Sequence, residues 1–182
     1  MAGTEYSGPT AAFSGLFKDA VVAICDFKES GEMHVKRSVE LFSHLGMKII
    51  FMSAAEHDHH ASVISHLPHA ISFSLASSVL KKENKKNIIA LSGTGFNGMI
   101  RIAKSSPVMW TDIFKQNKQN LINSIDLFKK ELERMRKFNQ KREVGRAARM
   151  DGRSRKIRET FINWGGNLPL NLSAFLVKSV RL

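Results

Sequence analysis

The residues able to do chemistry gather in two stretches of the chain. Residues 65–69 read Ser-His-Leu-Pro-His, and Arg101-Ile-Ala-Lys-Ser follows later with Trp110 beyond it. His66 and His69 can each donate or accept a proton, Arg101 can clamp a carboxylate through paired N–H groups, and Trp110 offers a flat apolar wall. Brought together, they would form a small cationic pocket for a carboxylate-bearing ligand. Singly, each has a plainer reading: an interior histidine with satisfied hydrogen bonds, a solvated cationic face shared with Lys104, a core tryptophan.

The other candidates carry less. His57 and His60 stand one turn apart, as do His66 and His69, which raises a metal site. Pro68 disturbs the second pair's face, and the chain has neither a cysteine cluster nor a His-Glu-x-x-His. No metal is expected; His59 and His60 read as exposed, and His57 as hydrogen-bonded beside Asp58. Near the start, Gly3-Thr4-Glu5 and Ser7-Gly8-Pro9 form a turn that could offer backbone donors and a hydroxyl to an anion, ahead of a helix over 9–17.

Hydrophobic patterning supplies the elements that must position these groups. Residues 19–26 and 47–52 are apolar, β-branched runs of strand length, and between them Val35, Val39, Leu41, Phe42 and Leu45 recur at helical spacing up to Gly46. This is one β-α-β unit with parallel strands, too little to cover a sheet on both faces, so the chain reads as beginning partway through a domain. From Ser53 helices dominate. Ser53-Ala-Ala-Glu56 is a capping box opening a helix to about Leu67, and residues 70–80 continue apolar and small. Residues 81–86 read as a solvated junction, and Ser92 to Gly98 as a glycine-rich turn before 99–104. Ser106-Pro107 starts another helix, and one stripe from Ile113 through Phe114, Leu121, Ile125 and Phe128 to Leu132 suits a bundle or a dimer.

The chain's 182 residues, 43% of them hydrophobic, suit one domain or one domain plus a piece of another. No apolar run is read as long enough to span a bilayer, and the first residues lack the pattern of a signal peptide, so a cytoplasmic location and no membrane contact are expected. Cys25, the single cysteine, lies in an apolar run and reads as structural. The net charge of +12 is lopsided: residues 1–136 hold 17 Lys/Arg and 13 Asp/Glu, whereas residues 137–182 hold 11 and 3.

Two explanations compete for that basic end. One is a tail evolved for nucleic acid, which would make the chain a standalone basic helical binding protein. The other is a shifted reading frame. Codons for Glu143 to Ser154 can be chosen so that reading one base later yields Arg-Trp-Glu-Glu-Leu-Gln-Glu-Trp-Met-Glu-Glu-Ala, an acidic amphipathic helix. We take the frameshift as the leading reading and nucleic-acid binding as the alternative.

Several ordered motifs carry a family resemblance: Met1-Ala-Gly-Thr-Glu-Tyr-Ser-Gly, Glu-His-Asp at 56–58, Ser-His-Leu-Pro-His at 65–69, Arg-Ile-Ala-Lys-Ser at 101–105, and Pro-Val-Met-Trp-Thr-Asp-Ile-Phe at 107–114. Together they resemble bacterial prephenate dehydrogenase of tyrosine biosynthesis, from residue 1 to about 136. The resemblance implies NAD-dependent oxidative decarboxylation of prephenate to 4-hydroxyphenylpyruvate. It implies that Arg101 binds a prephenate carboxylate, that His66 and His69 line the pocket with Trp110 nearby, and that Thr4 and Glu5 belong to its rim or gate. It places the expected catalytic histidine just upstream of Met1, and no Gly-x-Gly-x-x-Gly here supplies the nucleotide loop, so most of the NAD site is expected outside this chain, which should be inactive alone. Asn97-Gly98 stands where some relatives carry a charged pair.

The expected architecture is mostly α with a small α/β part: the end of a Rossmann-like dinucleotide-binding domain over 1–52, an all-helical dimerisation domain over 53–142 that pairs as a homodimer, and an aberrant basic tail over 143–182.

Overall fold

The computed structural model describes residues 8–140 of the chain. It divides into two compact units, one up to Leu127 and one from Phe128 onward.

The first unit opens on the β-α-β element. Strand β1 (Val21–Cys25) pairs in parallel with β2 (Lys48–Met52), Val21 opposite Lys48 and Cys25 opposite Met52. Helix α1 (Glu32–His44) makes the crossover, with Val35, Val39 and Phe42 half-buried at i, i+4 and i+7. Gly46 ends it at φ +72, a left-handed conformation that costs glycine nothing, and its N–H bonds the Ser43 carbonyl. Phe27 and Phe51 then meet edge to face at 4.8 Å.

The end of the sheet fixes the start of the helical part. Asp26 accepts the Ala54 N–H through Oδ1 at 2.9 Å, at the first turn of α2 (Ala54–Ala61). The capping box is formed: Glu56 N–H donates to Ser53 Oγ at 3.2 Å, and Ser53 N–H to Glu56 Oε2 at 2.8 Å. After α2 come a π turn (Ser62–His66), α3 (Leu67–Leu80), α4 (Lys85–Ala90), α5 (Thr94–Ile100), a 3-10 turn (Arg101–Lys104), α6 (Pro107–Gln116) and α7 (Lys118–Gln140).

Four expectations change. Residues 9–17 hold a 3-10 turn (Pro9–Ala11) and further turns in place of a helix, with Gly15 at φ +89 breaking helical geometry. The helix from Ser53 does not stop near Leu67 but continues through the π turn, so Ala54–Leu80 is 27 residues long and, by length and composition, apolar enough to cross a membrane, contrary to the sequence reading. The glycine-rich stretch is mostly helix: α5 accepts Gly95 and Gly98 at about 1 kcal/mol each relative to alanine, and is held to α3 by Ser72 Oγ donating to the Met99 carbonyl at 2.8 Å. The long stripe from Ile113 to Leu132 is broken at Asn117, which separates α6 from α7.

The unit's core is small and half polar. Among the described residues the buried apolar side chains are Ala61, Trp110 and Leu121, joined by buried Ser62, Ser72, Asn117 and Ser124. Ser62 Oγ donates to the His59 carbonyl at 2.7 Å and lies 2.9 Å from Ser124 Oγ, tying the π turn to α7. Large apolar side chains remain outside: Ile64 is 66% exposed, Val108 75% and Leu91 88%. The second unit is described over the remainder of α7, where Glu131 pairs with Arg134, Glu133 with Arg136, and Arg134 lies over the Phe138 ring. The basic tail over 143–182 and its suspected frameshift lie outside the described residues.

Candidate functional site

The site is built on the π turn. Pro68 has no N–H for the Ile64 carbonyl, and its ring would crowd that carbonyl in a regular helix. A wider turn relieves this, with Leu67 N–H reaching back five residues to the Ser62 carbonyl. The helix therefore passes the proline unbroken and carries His66 and His69 on either side of it.

Both imidazoles meet Trp110. His69 stacks on the indole with ring centroids 3.6 Å apart and planes 22° from parallel, and His66 meets it edge-on at 6.1 Å. Phe114, one turn beyond Trp110 on α6, lies 5.5 Å from the indole and 6.5 Å from Phe73 of α3. The result is an aromatic wall shared by α3 and α6. Trp110 Nε1 is buried within it without a hydrogen-bond partner.

Each imidazole is also held by its Nδ1 edge. His69 Nδ1 lies 2.8 Å from the Ser65 carbonyl oxygen. His66 Nδ1 lies 3.2 Å from Asn117 Nδ2, which also donates to the Asp58 carbonyl at 2.7 Å. Asn120 Nδ2 donates to Asn117 Oδ1 at 2.8 Å, completing the amide's bonding. Burial is the main cause that holds the His66 pKa below the usual histidine range, with nearby His57 and His69 adding to it and Asp58 opposing it. His66 is thus disposed to stay neutral.

The structure brings His66, His69 and Trp110 together as one cluster. Arg101 is exposed, on the 3-10 turn that packs against α3, and is not a member of the ring stack; Lys104, also exposed, shares that turn. Thr4 and Glu5 lie outside the described residues. His57 bonds Asp58 at 3.1 Å, and His59 and His60 are exposed. Among the described residues no three His, Cys, Asp or Glu side chains gather as metal ligands. Cys25 is half-buried, and burial first, then Asp26 and Asp58, push its thiol pKa up, which makes it a poor nucleophile.

Asn117 was not among the residues named from sequence. Its signal was present in Gln116-Asn-Lys-Gln-Asn120, a polar run inside an apolar stripe, because asparagine bonds local backbone and interrupts helices. Chemically, the buried indole backs two imidazoles whose Nδ1 positions are already engaged, so that Nε2 is the position each ring can turn to a ligand.

The family described as prephenate dehydrogenase, dimerization domain, matches residues 53–149. Cyclohexadienyl dehydrogenase of Zymomonas mobilis is 33% identical over 138 residues, covering 75% of this chain and 47% of that protein. Prephenate dehydrogenase of Bacillus subtilis is 32% identical over 139 residues, covering 76% of this chain and 38% of that protein. Among solved structures, prephenate dehydrogenase from A. aeolicus in complex with hydroxyphenyl propionate and NAD+ superposes with a TM-score of 0.79 at 31% identity, over 89% of this chain and 57% of that one. The chain spans about half the length of these relatives.

Proposed function

The chain belongs to the prephenate dehydrogenase family, and from that premise we propose that the cluster of His66, His69 and Trp110 forms the substrate side of an NAD-dependent oxidative decarboxylation of prephenate. In that reaction hydride leaves the ring carbon bearing the hydroxyl for the nicotinamide. The ring carboxylate departs as carbon dioxide, and its bond electrons complete the aromatic ring of 4-hydroxyphenylpyruvate. The observation that carries the reading is that two separate sequence motifs, one holding His66 and His69 and the other Trp110, converge on one stack.

Trp110, buried with His69 stacked on it and Phe114 and Phe73 behind, backs the two histidines, and the imidazoles supply the polar contacts to the ligand. Arg101 serves as the carboxylate clamp through the paired N–H donors of its guanidinium. NAD is the hydride acceptor. The described β1-to-α1 junction does not fit its pyrophosphate: Glu32 stands in the first turn of α1, and no Gly-x-Gly-x-x-Gly joins the two elements. Cofactor recognition is therefore not assigned to these residues.

The division we propose is a dinucleotide-binding portion over 1–52 and a helical dimerisation domain over 53–142. The family match beginning at Ser53 supports it. The partner of the helical domain is a second copy of this chain. Ala54–Leu80 carries Glu56, Asp58 and five histidines, which suit a protein interface better than lipid, and apolar side chains such as Ile64, Leu91 and Val108 stand ready to be covered. The reaction belongs in the cytoplasm, a reducing compartment that suits a lone thiol.

Calorimetric titration of the chain with prephenate and with hydroxyphenyl propionate tests the proposal. Saturable binding of both, weakened by Arg101→Ala, is expected. Heats no larger than those given by an uncharged phenol would overturn it.

A further inference from the structure

Resting on this reading of the pocket, we propose that Asn117 is a positioning residue that holds His66 as its Nε2–H tautomer, so that His66 and His69 present a matched donor and acceptor to the ligand. The argument is one of hydrogen counting. The Asp58 carbonyl can only accept, so the amide edge 2.7 Å from it must be nitrogen. Asn120 Nδ2 donates to the other edge, which must then be oxygen. The Asp58 carbonyl thus fixes the orientation of the Asn117 amide, and the Asn120 contact agrees with it.

With one Nδ2 hydrogen given to Asp58, the second faces His66 Nδ1 at 3.2 Å. An N–H can be received there only by a lone pair. Nδ1 must be bare, and the proton of the neutral ring sits on Nε2. Protonating His66 would set one N–H against another in a partly buried contact with the buried Asn117. The depressed His66 pKa is consistent with this arrangement.

His69 is held the opposite way. Its Nδ1 lies 2.8 Å from the Ser65 carbonyl and must carry the proton, which leaves Nε2 bare in the neutral ring. Nε2 lies across each ring from the engaged Nδ1 edge, so it points away from the group that fixes the tautomer. The pair therefore offers one N–H and one lone pair. A ligand hydroxyl can donate to His69 or accept from His66. A carboxylate oxygen can take only the His66 proton while His69 is neutral.

Long-range proton–nitrogen correlation spectra of the full chain with 15N-labelled histidine test the assignment, His66→Gln and His69→Gln each removing one pattern. In the neutral rings, His66 is expected to show a protonated Nε2 with a bare Nδ1, and His69 the reverse. Asn117→Asp puts acceptors against His66 Nδ1 and should move that nitrogen into the N–H range with His69 unchanged. Asn117→Leu, close in volume and unable to donate, should let His66 take its proton at higher pH than in the parent chain. A proton on His66 Nδ1 in the parent chain, or a His66 pattern and titration unchanged in both variants, would overturn the proposal. Prephenate binding by the same samples reports separately. No binding with the tautomers as assigned would overturn the functional reading and leave the hydrogen-bond assignment intact.

Discussion

Replacing Ser62 by alanine should unsettle the whole cluster, because this side chain is fully buried where the π turn meets α7. A hydroxyl has one hydrogen, and Ser62 gives its own to the His59 carbonyl at 2.7 Å. Ser124 must then donate across the 2.9 Å contact to Ser62 Oγ. Ser62→Ala deletes both bonds and leaves the Ser124 hydroxyl, 4% exposed, without an acceptor. At about 1 kcal/mol for each bond and about 1–3 kcal/mol for the stranded hydroxyl, with partial relaxation, the loss should be about 2–4 kcal/mol. Ser124→Ala removes one bond and leaves Ser62 bonded to His59, so it should cost about 1 kcal/mol. In the double variant no hydroxyl is stranded, and the second substitution should cost little in the first background. Urea unfolding of the four chains, at one protein concentration, measures the cycle. Additivity within about 0.5 kcal/mol would show that the two hydroxyls are not coupled and would refute the reasoning.

Three further outcomes are expected. Because burial holds the folded His66 pKa below its unfolded value of about 6.5, the unfolded chain binds the extra proton between the two. Stability should be full above that range and fall as pH drops through it, and unfolding curves of His66→Gln that decline as steeply would contradict this. Ser53→Ala removes the side-chain half of the capping box and should cost about 1 kcal/mol in thermal unfolding, whereas Ser53→Asp, which keeps an acceptor, should recover most of it. Arg101→Lys keeps the charge but loses the bidentate fork, so prephenate affinity by calorimetry should fall about tenfold, from a loss of about 1.4 kcal/mol; an unchanged affinity would remove Arg101 from the carboxylate site.

Where one local rule acted alone, the sequence could be read directly. Ser53 and Glu56 announce a helix start by chemistry confined to four residues, and the apolar runs around Val21–Cys25 and Lys48–Met52 announce strands, although these are half-buried rather than buried. Failures came where local and tertiary preferences disagree. Gly95 and Gly98 suggest a turn, but the Ser72 hydroxyl on the Met99 carbonyl holds their segment helical. Pro68 suggests a helix boundary, and only the wider turn before it shows how a helix accommodates a proline. The same tension divides the site. His66, His69 and Trp110 could be named because they sit in motifs that carry the family resemblance. Asn117 was hidden because its importance lies in its partners: Asp58 and His66 are remote in sequence, and nothing in an amide's identity says which way it is turned.

The π turn also acts as a phase shifter within the 27-residue helical run. One additional residue in a turn rotates everything after it by about 100° relative to an uninterrupted α-helix. The portion before it, α2, is aligned with the end of β1 through Asp26, while the portion after it, α3, is aligned with α5 through Ser72. A continuous α-helix of this sequence could satisfy one alignment but not both. Deleting a single residue from 62–66 would therefore leave the capping box undisturbed while swinging Ser72 and His69 off their partners, so the spacing between these two anchors constrains the chain as strictly as the identity of any histidine.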